Sequence, residues 1–105
     1  MKNPITVLAK IKLAKGCTEK DLLAASDTFQ KEFVAHEKGV LRRELVKKSD
    51  DEYLDIILFR SQKDFEEVME REQNSEVCHQ FFSVMDMDAM DESEAVEIYQ
   101  SIAIY

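Results

Sequence analysis

The segment Tyr53–Arg60, YLDIILFR, is apolar on both sides of a period-two pattern. Leu54, Ile56 and Leu58 fall on one side, and Tyr53, Ile57 and Phe59 on the other, with Asp55 the lone acid. A strand with one wet face alternates apolar and polar residues, so both faces of this one require cover. Upstream, Ile5, Val7, Ala9, Ile11 and Leu13 alternate with Thr6, Leu8, Lys10 and Lys12, which predicts a first strand over Ile5–Ala14. Thr18 then predicts a helix N-cap, with Glu19 and Asp21 suited to the positive end of the helix dipole. Leu22, Ala25, Phe29 and Phe33 follow at helical steps, and Gly39 after His36-Glu37-Lys38 reads as a left-handed C-cap.

Val40–Lys48 predicts a second strand, joined by the polar turn Ser49-Asp50-Asp51-Glu52 to Tyr53–Arg60 as an antiparallel hairpin. Its Arg42, Arg43 and Glu44 suit an edge strand, where charge discourages unwanted pairing. Ser61 and Asp64 form a second N-terminal signature, and Phe65, Val68 and Met69 begin an apolar stripe. Asn74-Ser75 is expected to interrupt that helix before Val77, Cys78, Phe81, Phe82 and Met85 continue the stripe. A last strand is predicted over Ala95–Tyr105, with Val96, Ile98, Ile102 and Ile104 on one face. The order β-α-β-β-α-β predicts a single α+β domain over residues 1–105: a ferredoxin-like four-stranded antiparallel sheet with two helices on one face. The first and third strands then lie centrally. Leu54, Ile56, Leu58 and Leu8 are left on the open face, a patch that a second copy of the chain could close as a symmetric dimer.

Composition narrows the partners. Fourteen basic against 22 acidic residues give a net charge of −8, which argues against nucleic acid or an anionic membrane as a partner. The N-terminus MKNPITV lacks the apolar stretch of an export signal, and no apolar run is long enough to span a bilayer, so cytoplasmic residence is expected. Cys17 and Cys78 form no spaced motif and are expected as free thiols. The acids Asp86, Asp88, Asp91, Glu92 and Glu94 begin like a calcium loop, yet the turn glycine and the terminal glutamate are missing, so no metal site is expected.

The run KGVLRRELV (Lys38–Val46), the hairpin into YLDIILFRS (Tyr53–Ser61) and the helix DFEEVMEREQNSEVCHQFF (Asp64–Phe82) resemble the dimeric α/β-barrel superfamily, closest to its antibiotic biosynthesis monooxygenase-like domains. The resemblance covers nearly the whole chain and implies a homodimer with a pocket in each subunit between the sheet and its helices. Fold does not license function, since the superfamily hosts several chemistries. Its heme-degrading branch relies on an Asn in the first strand, a Trp ending the third and a His in the second helix. Those positions hold Ala9, Phe59 and a residue near Phe82, with His79 three residues earlier, so heme degradation is not implied.

The superfamily's cofactor-free monooxygenases need an apolar cavity with a few hydrogen-bonding or proton-accepting groups. Here the resemblance implies no cofactor and a pocket for a small apolar aromatic ligand. Its walls would come from Ala9, Phe29, Phe33, Phe59 and Phe82, with His36 and Tyr99 as polar groups, and His79, Asp55 and Tyr53 are the catalytic candidates. Each has a plainer explanation. The phenylalanines sit at core spacing, His36 suits a helix C-terminus, and His79 could be an exposed helical residue. Asp55 on a buried strand is costly unless paired, with Arg42 or Arg43 on the neighbouring strand as partner. Two functions stay open: a monooxygenase-like enzyme, or a non-catalytic dimeric module that binds a small molecule or is purely structural.

Overall fold

A computed structural model of the chain describes residues 3–88 and 95–105. Four antiparallel strands, β1 (Ile5–Lys12), β2 (Val40–Lys47), β3 (Glu52–Phe59) and β4 (Val96–Gln100), form one sheet in the order β2-β3-β1-β4. The two most apolar strands are central and the charged β2 is an edge, as the pattern predicts. Helices α1 (Glu19–Glu32), α2 (Gln62–Gln73) and α3 (Glu76–Phe82) complete the ferredoxin-like α+β arrangement. Among the described residues no helix is long and apolar enough to cross a membrane. Of the acidic segment, residues 89–94 lie outside the described residues.

Local chemistry sets the helix starts. Thr18 accepts from the Asp21 amide while the Asp21 carboxylate accepts from the Thr18 amide at 2.8 Å, a reciprocal capping box. Ser61 caps α2 through the Asp64 amide, and Asn74-Ser75 does break the second helical stretch, with Ser75 capping α3. The first helix stops at Glu32 and continues as a short 3-10 turn, Val34–His36. Gly39 is not a left-handed cap: Gly16 is the glycine with positive φ, at 86°. Gly39 is needed for close approach instead, because a Cβ there would lie 2.6 Å from the Cβ of Asp64.

Residues Ile5, Val7 and Ile11 of β1 and Tyr53, Asp55 and Phe59 of β3 are buried beneath the helices, against Leu22, Phe29, Phe33, Phe65, Val68, Cys78 and Phe81. The opposite face carries Leu8, Leu54, Ile56 and Leu58, each half-buried. Two predicted strands are shorter than expected. The first ends at Lys12; Leu13 and Ala14 pair instead with the chain leaving α3, where Ala14 donates to the Val84 carbonyl at 2.9 Å. The last ends at Gln100, because its partner β1 begins at Ile5, directly opposite it. Val96 and Ile98 are exposed, since the helices do not reach over this edge, and Ile102 is 94% exposed.

Candidate functional site

Edge strand β2 contains a β-bulge. Val40 pairs with Phe59 and Arg42 with Leu58, which leaves Leu41 as the extra residue. Regular alternation from Val40 would turn Arg42 toward the helices and Arg43 away from them. The bulge reverses this: Arg42 joins the open face, where it meets Glu44 at 3.1 Å, and Arg43 points beneath the helices. There the Arg43 Nε donates to both carboxylate oxygens of Asp55, at 3.0 and 2.9 Å. Its Nη2 donates to the Ser26 hydroxyl at 2.8 Å and its Nη1 to Gln30 Oε1 at 3.4 Å. The Arg43 and Asp55 side chains are 7% and 4% exposed, so this is a buried ion pair.

Rings surround it. The Arg43 guanidinium carbon lies 4.9 Å from the Phe29 centroid and 5.3 Å from that of Phe81, within cation–π range. Phe29 and Phe81 stack at 4.4 Å, and Phe33 stacks on Phe29 at 5.7 Å. A second carboxyl group acts on the cluster. Glu72 is half-buried at the end of α2, and its carboxyl has no hydrogen-bond partner among the described residues. Burial pushes its pKa up to about 8, the negative charge of Asp55 adds to the effect, and Arg43 opposes it. Burial also raises the Asp55 carboxyl above its ordinary value, with Arg43 pulling it back. Beside the cluster a cavity of about 190 Å³ opens between the 3-10 turn and β2, lined by Gln30, Val34, Ala35, Glu37, Val40, Leu41, Arg42 and Arg43.

The candidates read from the sequence divide among several places. Asp55 lies at the centre of the cluster, and Ala9 is its cross-strand neighbour on β1. Tyr53 shares the buried face of β3 but turns to the start of α1, donating to Glu19 at 3.1 Å. His79 is exposed, with Nε2 2.9 Å from the Gln73 carbonyl, and His36 is exposed on the 3-10 turn. Phe29, Phe33 and Phe82 do come together, but around Phe81 and against one another; Phe59 packs separately, edge-on to Phe65 at 5.2 Å. Tyr99 lies opposite Thr6, on the face away from the helices, and donates to Glu97 at 2.9 Å. The pattern did not single out Glu72, Ser26 or Gln30. Glu72 falls in the charged run Glu70-Arg71-Glu72-Gln73, which reads as a solvated helix face. Cys17 and Cys78 are free, and burial pushes the Cys78 thiol up to about 11.

No family model and no curated protein matches the chain. Solved structures do. SnoaB, a cofactor-independent oxygenase from Streptomyces nogalater, superposes with a TM-score of 0.67 at 12% identity, over 98% of this chain and 95% of its own. A protein from Shewanella oneidensis gives a TM-score of 0.65 at 22% identity, over 96% and 93%. A provisionally named antibiotic biosynthesis monooxygenase from Bordetella bronchiseptica gives 0.63 at 12% identity, over 99% and 100%. The fold is therefore that of the antibiotic biosynthesis monooxygenase-like proteins.

Proposed function

We propose that the chain is a homodimeric, cofactor-independent, monooxygenase-type enzyme acting on a small aromatic compound between the sheet and the helices. The observation that carries this is the buried Arg43–Asp55 pair with Glu72 beside it, in a layer otherwise made of phenylalanine and aliphatic side chains. A buried ion pair usually stabilises a fold less than apolar residues of the same volume would, so packing alone does not call for it. A reaction in which the substrate itself reduces dioxygen needs a proton acceptor and a fixed charge near an apolar surface. Asp55 and Arg43 can fill those two roles. The likeness to a cofactor-independent oxygenase supports the same reading at the level of fold.

The partner in this proposal is a second copy, seated on the face formed by Leu8, Leu54, Ile56 and Leu58. A second function is favoured by a different observation. The rings that would have walled an aromatic pocket, Phe29, Phe33 and Phe82, pack on one another and on Phe81, as the core of a binding or structural module would. Oxygen uptake with a panel of hydroxylated aromatics and no added cofactor separates the two. The enzyme reading expects uptake that is lost in Asp55→Asn and kept in His79→Ala. Binding of a panel member without any uptake would leave the module.

A further inference from the structure

The sheet has two edges, and they are built differently. Edge strand β2 carries Arg42, Arg43 and Glu44 and is bent by the bulge at Leu41, devices that discourage pairing with another chain. Edge strand β4 has neither. From Val96 to Tyr105 the one charged side chain is Glu97, while Val96, Ile98, Tyr99, Ile102, Ile104 and Tyr105 are all exposed. The apolar alternation runs on past Gln100, where β1 has ended. Residues 102–105 thus carry the pattern of a strand with no strand beside them among the described residues.

The backbone decides how a neighbour could be added. Along an antiparallel strand, the hydrogen-bonding groups of successive residues point to opposite sides. The Leu13 amide donates to Asp51 at 3.1 Å and the Ser101 amide to Pro4 at 3.0 Å. Odd-numbered residues of β1 therefore bond to β3, and odd-numbered residues of β4 bond to β1. The amides and carbonyls of Val96, Ile98 and Gln100 face outward, and the same alternation carried forward turns out those of Ile102 and Ile104.

A partner strand must meet these even positions with its own outward groups. The segment can meet itself in this way. Laid antiparallel on a copy with Gln100 opposite Gln100, it sets Val96 opposite Ile104 and Ile98 opposite Ile102. Glu97 then falls opposite Ala103, so no like charges meet. The neighbouring registers of the same parity put Gln100 opposite Ile98 or Ile102 and leave an apolar position unmatched. We propose that β4 and residues 101–105 form a self-pairing surface, on which a second copy of the chain adds its own β4 antiparallel about a two-fold axis at Gln100.

Residues 101–105 of each copy then run along β4 of the other, which prolongs a strand that a single chain ends at Gln100. The contact is separate from the open face of Leu8 and Ile56 and involves neither Arg43 nor Asp55. About ten residues a side is well short of the roughly 20–30 of a standard interface. The pairing is therefore weak and belongs to concentrated protein, while dilute protein keeps the open-face contact alone.

Disulfide trapping tests the register, in a Cys17→Ser background because Cys17 is partly exposed. Opposed residues of a hydrogen-bonded antiparallel pair have Cα atoms about 5.5 Å apart, within reach of a disulfide. Concentrated Gln100→Cys protein is treated with diamide in salt that screens the net charge of −8. It should form covalent dimers about tenfold faster than Ile98→Cys or Ile102→Cys alone, and those two variants mixed should link to each other. Adding Ile98→Lys, at an exposed position, should keep the circular dichroism of the fold and remove the Gln100 cross-link. No trapping at Gln100, equal rates at all three positions, a cross-link that survives Ile98→Lys, or trapping on Leu41→Cys of the β2 edge instead would overturn the proposal. Oxygen uptake takes no part in these measurements, so the enzyme proposal stands or falls separately.

Discussion

Replacing Glu72 by glutamine removes one ionisation and changes the shape of the side chain very little. The folded-state pKa lies at about 8, against 4.5 for an ordinary glutamate. The unfolded chain therefore releases this proton first. The contribution of Glu72 to stability is whole below the unfolded pKa and is lost as pH rises from 4.5 toward about 8. At about 1.36 kcal/mol per pH unit, a fully sealed carboxyl would cost about 5 kcal/mol across that window. Glu72 is half-buried, and hydration and relaxation bring the expected loss to about 2 kcal/mol. For a chain of this size that corresponds to about 10 °C in Tm. Thermal unfolding followed by circular dichroism from about pH 5 to about pH 9 tests this. The native chain should lose stability progressively while Glu72→Gln stays nearly flat, so the variant is the more stable protein at alkaline pH. Asp55, also raised, contributes a slope of the same sign in both proteins. Parallel curves for the two proteins would refute the placement of a protonated carboxyl beside Asp55.

Three further outcomes are expected. Gly39→Ala places a methyl group 2.6 Å from the Asp64 Cβ, so it should destabilise the fold by about 1–3 kcal/mol in urea unfolding, and an unchanged midpoint would show that the contact yields freely. Ile56→Asp puts a carboxylate in the centre of the open face; light scattering should find monomer or unfolded chain, and an equally stable dimer would sink the face-to-face arrangement. Cys78 is fully buried with its thiol pushed up to about 11, so a thiol reagent at mildly alkaline pH should label only the partly exposed Cys17 until the chain is unfolded, and rapid labelling of both would contradict the packing of α3.

Strand order was legible because the order β-α-β-β-α-β places the first and third strands centrally, in agreement with a third strand apolar on both faces, and because a strand carrying Arg42, Arg43 and Glu44 suits an edge. The features that escaped the pattern depend on contacts distant in sequence. Gly39 owes its place to Asp64, which comes from the following helix and not from the turn that Gly39 ends. The alternation of Val96 to Ile104 looks like one long strand, yet a strand extends only as far as its neighbour, and beyond the register the Ser101 amide donates to the Pro4 carbonyl at 3.0 Å while its hydroxyl meets that of Thr6 at 2.6 Å. Glu72 carries no local mark at all, because its raised pKa arises from burial and from a carboxylate on the preceding strand.

The site turns on one residue that does no chemistry. Asp55 needs a cation, and β2 offers two in succession, only one of which can face the helices. Without the bulge at Leu41 that cation would be Arg42, and Arg43 would lie on the open face, where the dimer contact is proposed. With it, the exposed arginine pairs with Glu44 at the surface, and the buried one reaches Asp55, Ser26 and Gln30 together. A bulge interrupts ladder hydrogen bonding on an edge strand, and a buried ion pair contributes less stability than apolar packing. Both costs fall at the same place, beside a cavity that Arg43 helps to line. A core that served packing alone would need neither feature. Their coincidence ties the local irregularity of β2 to the chemistry proposed for the layer it borders.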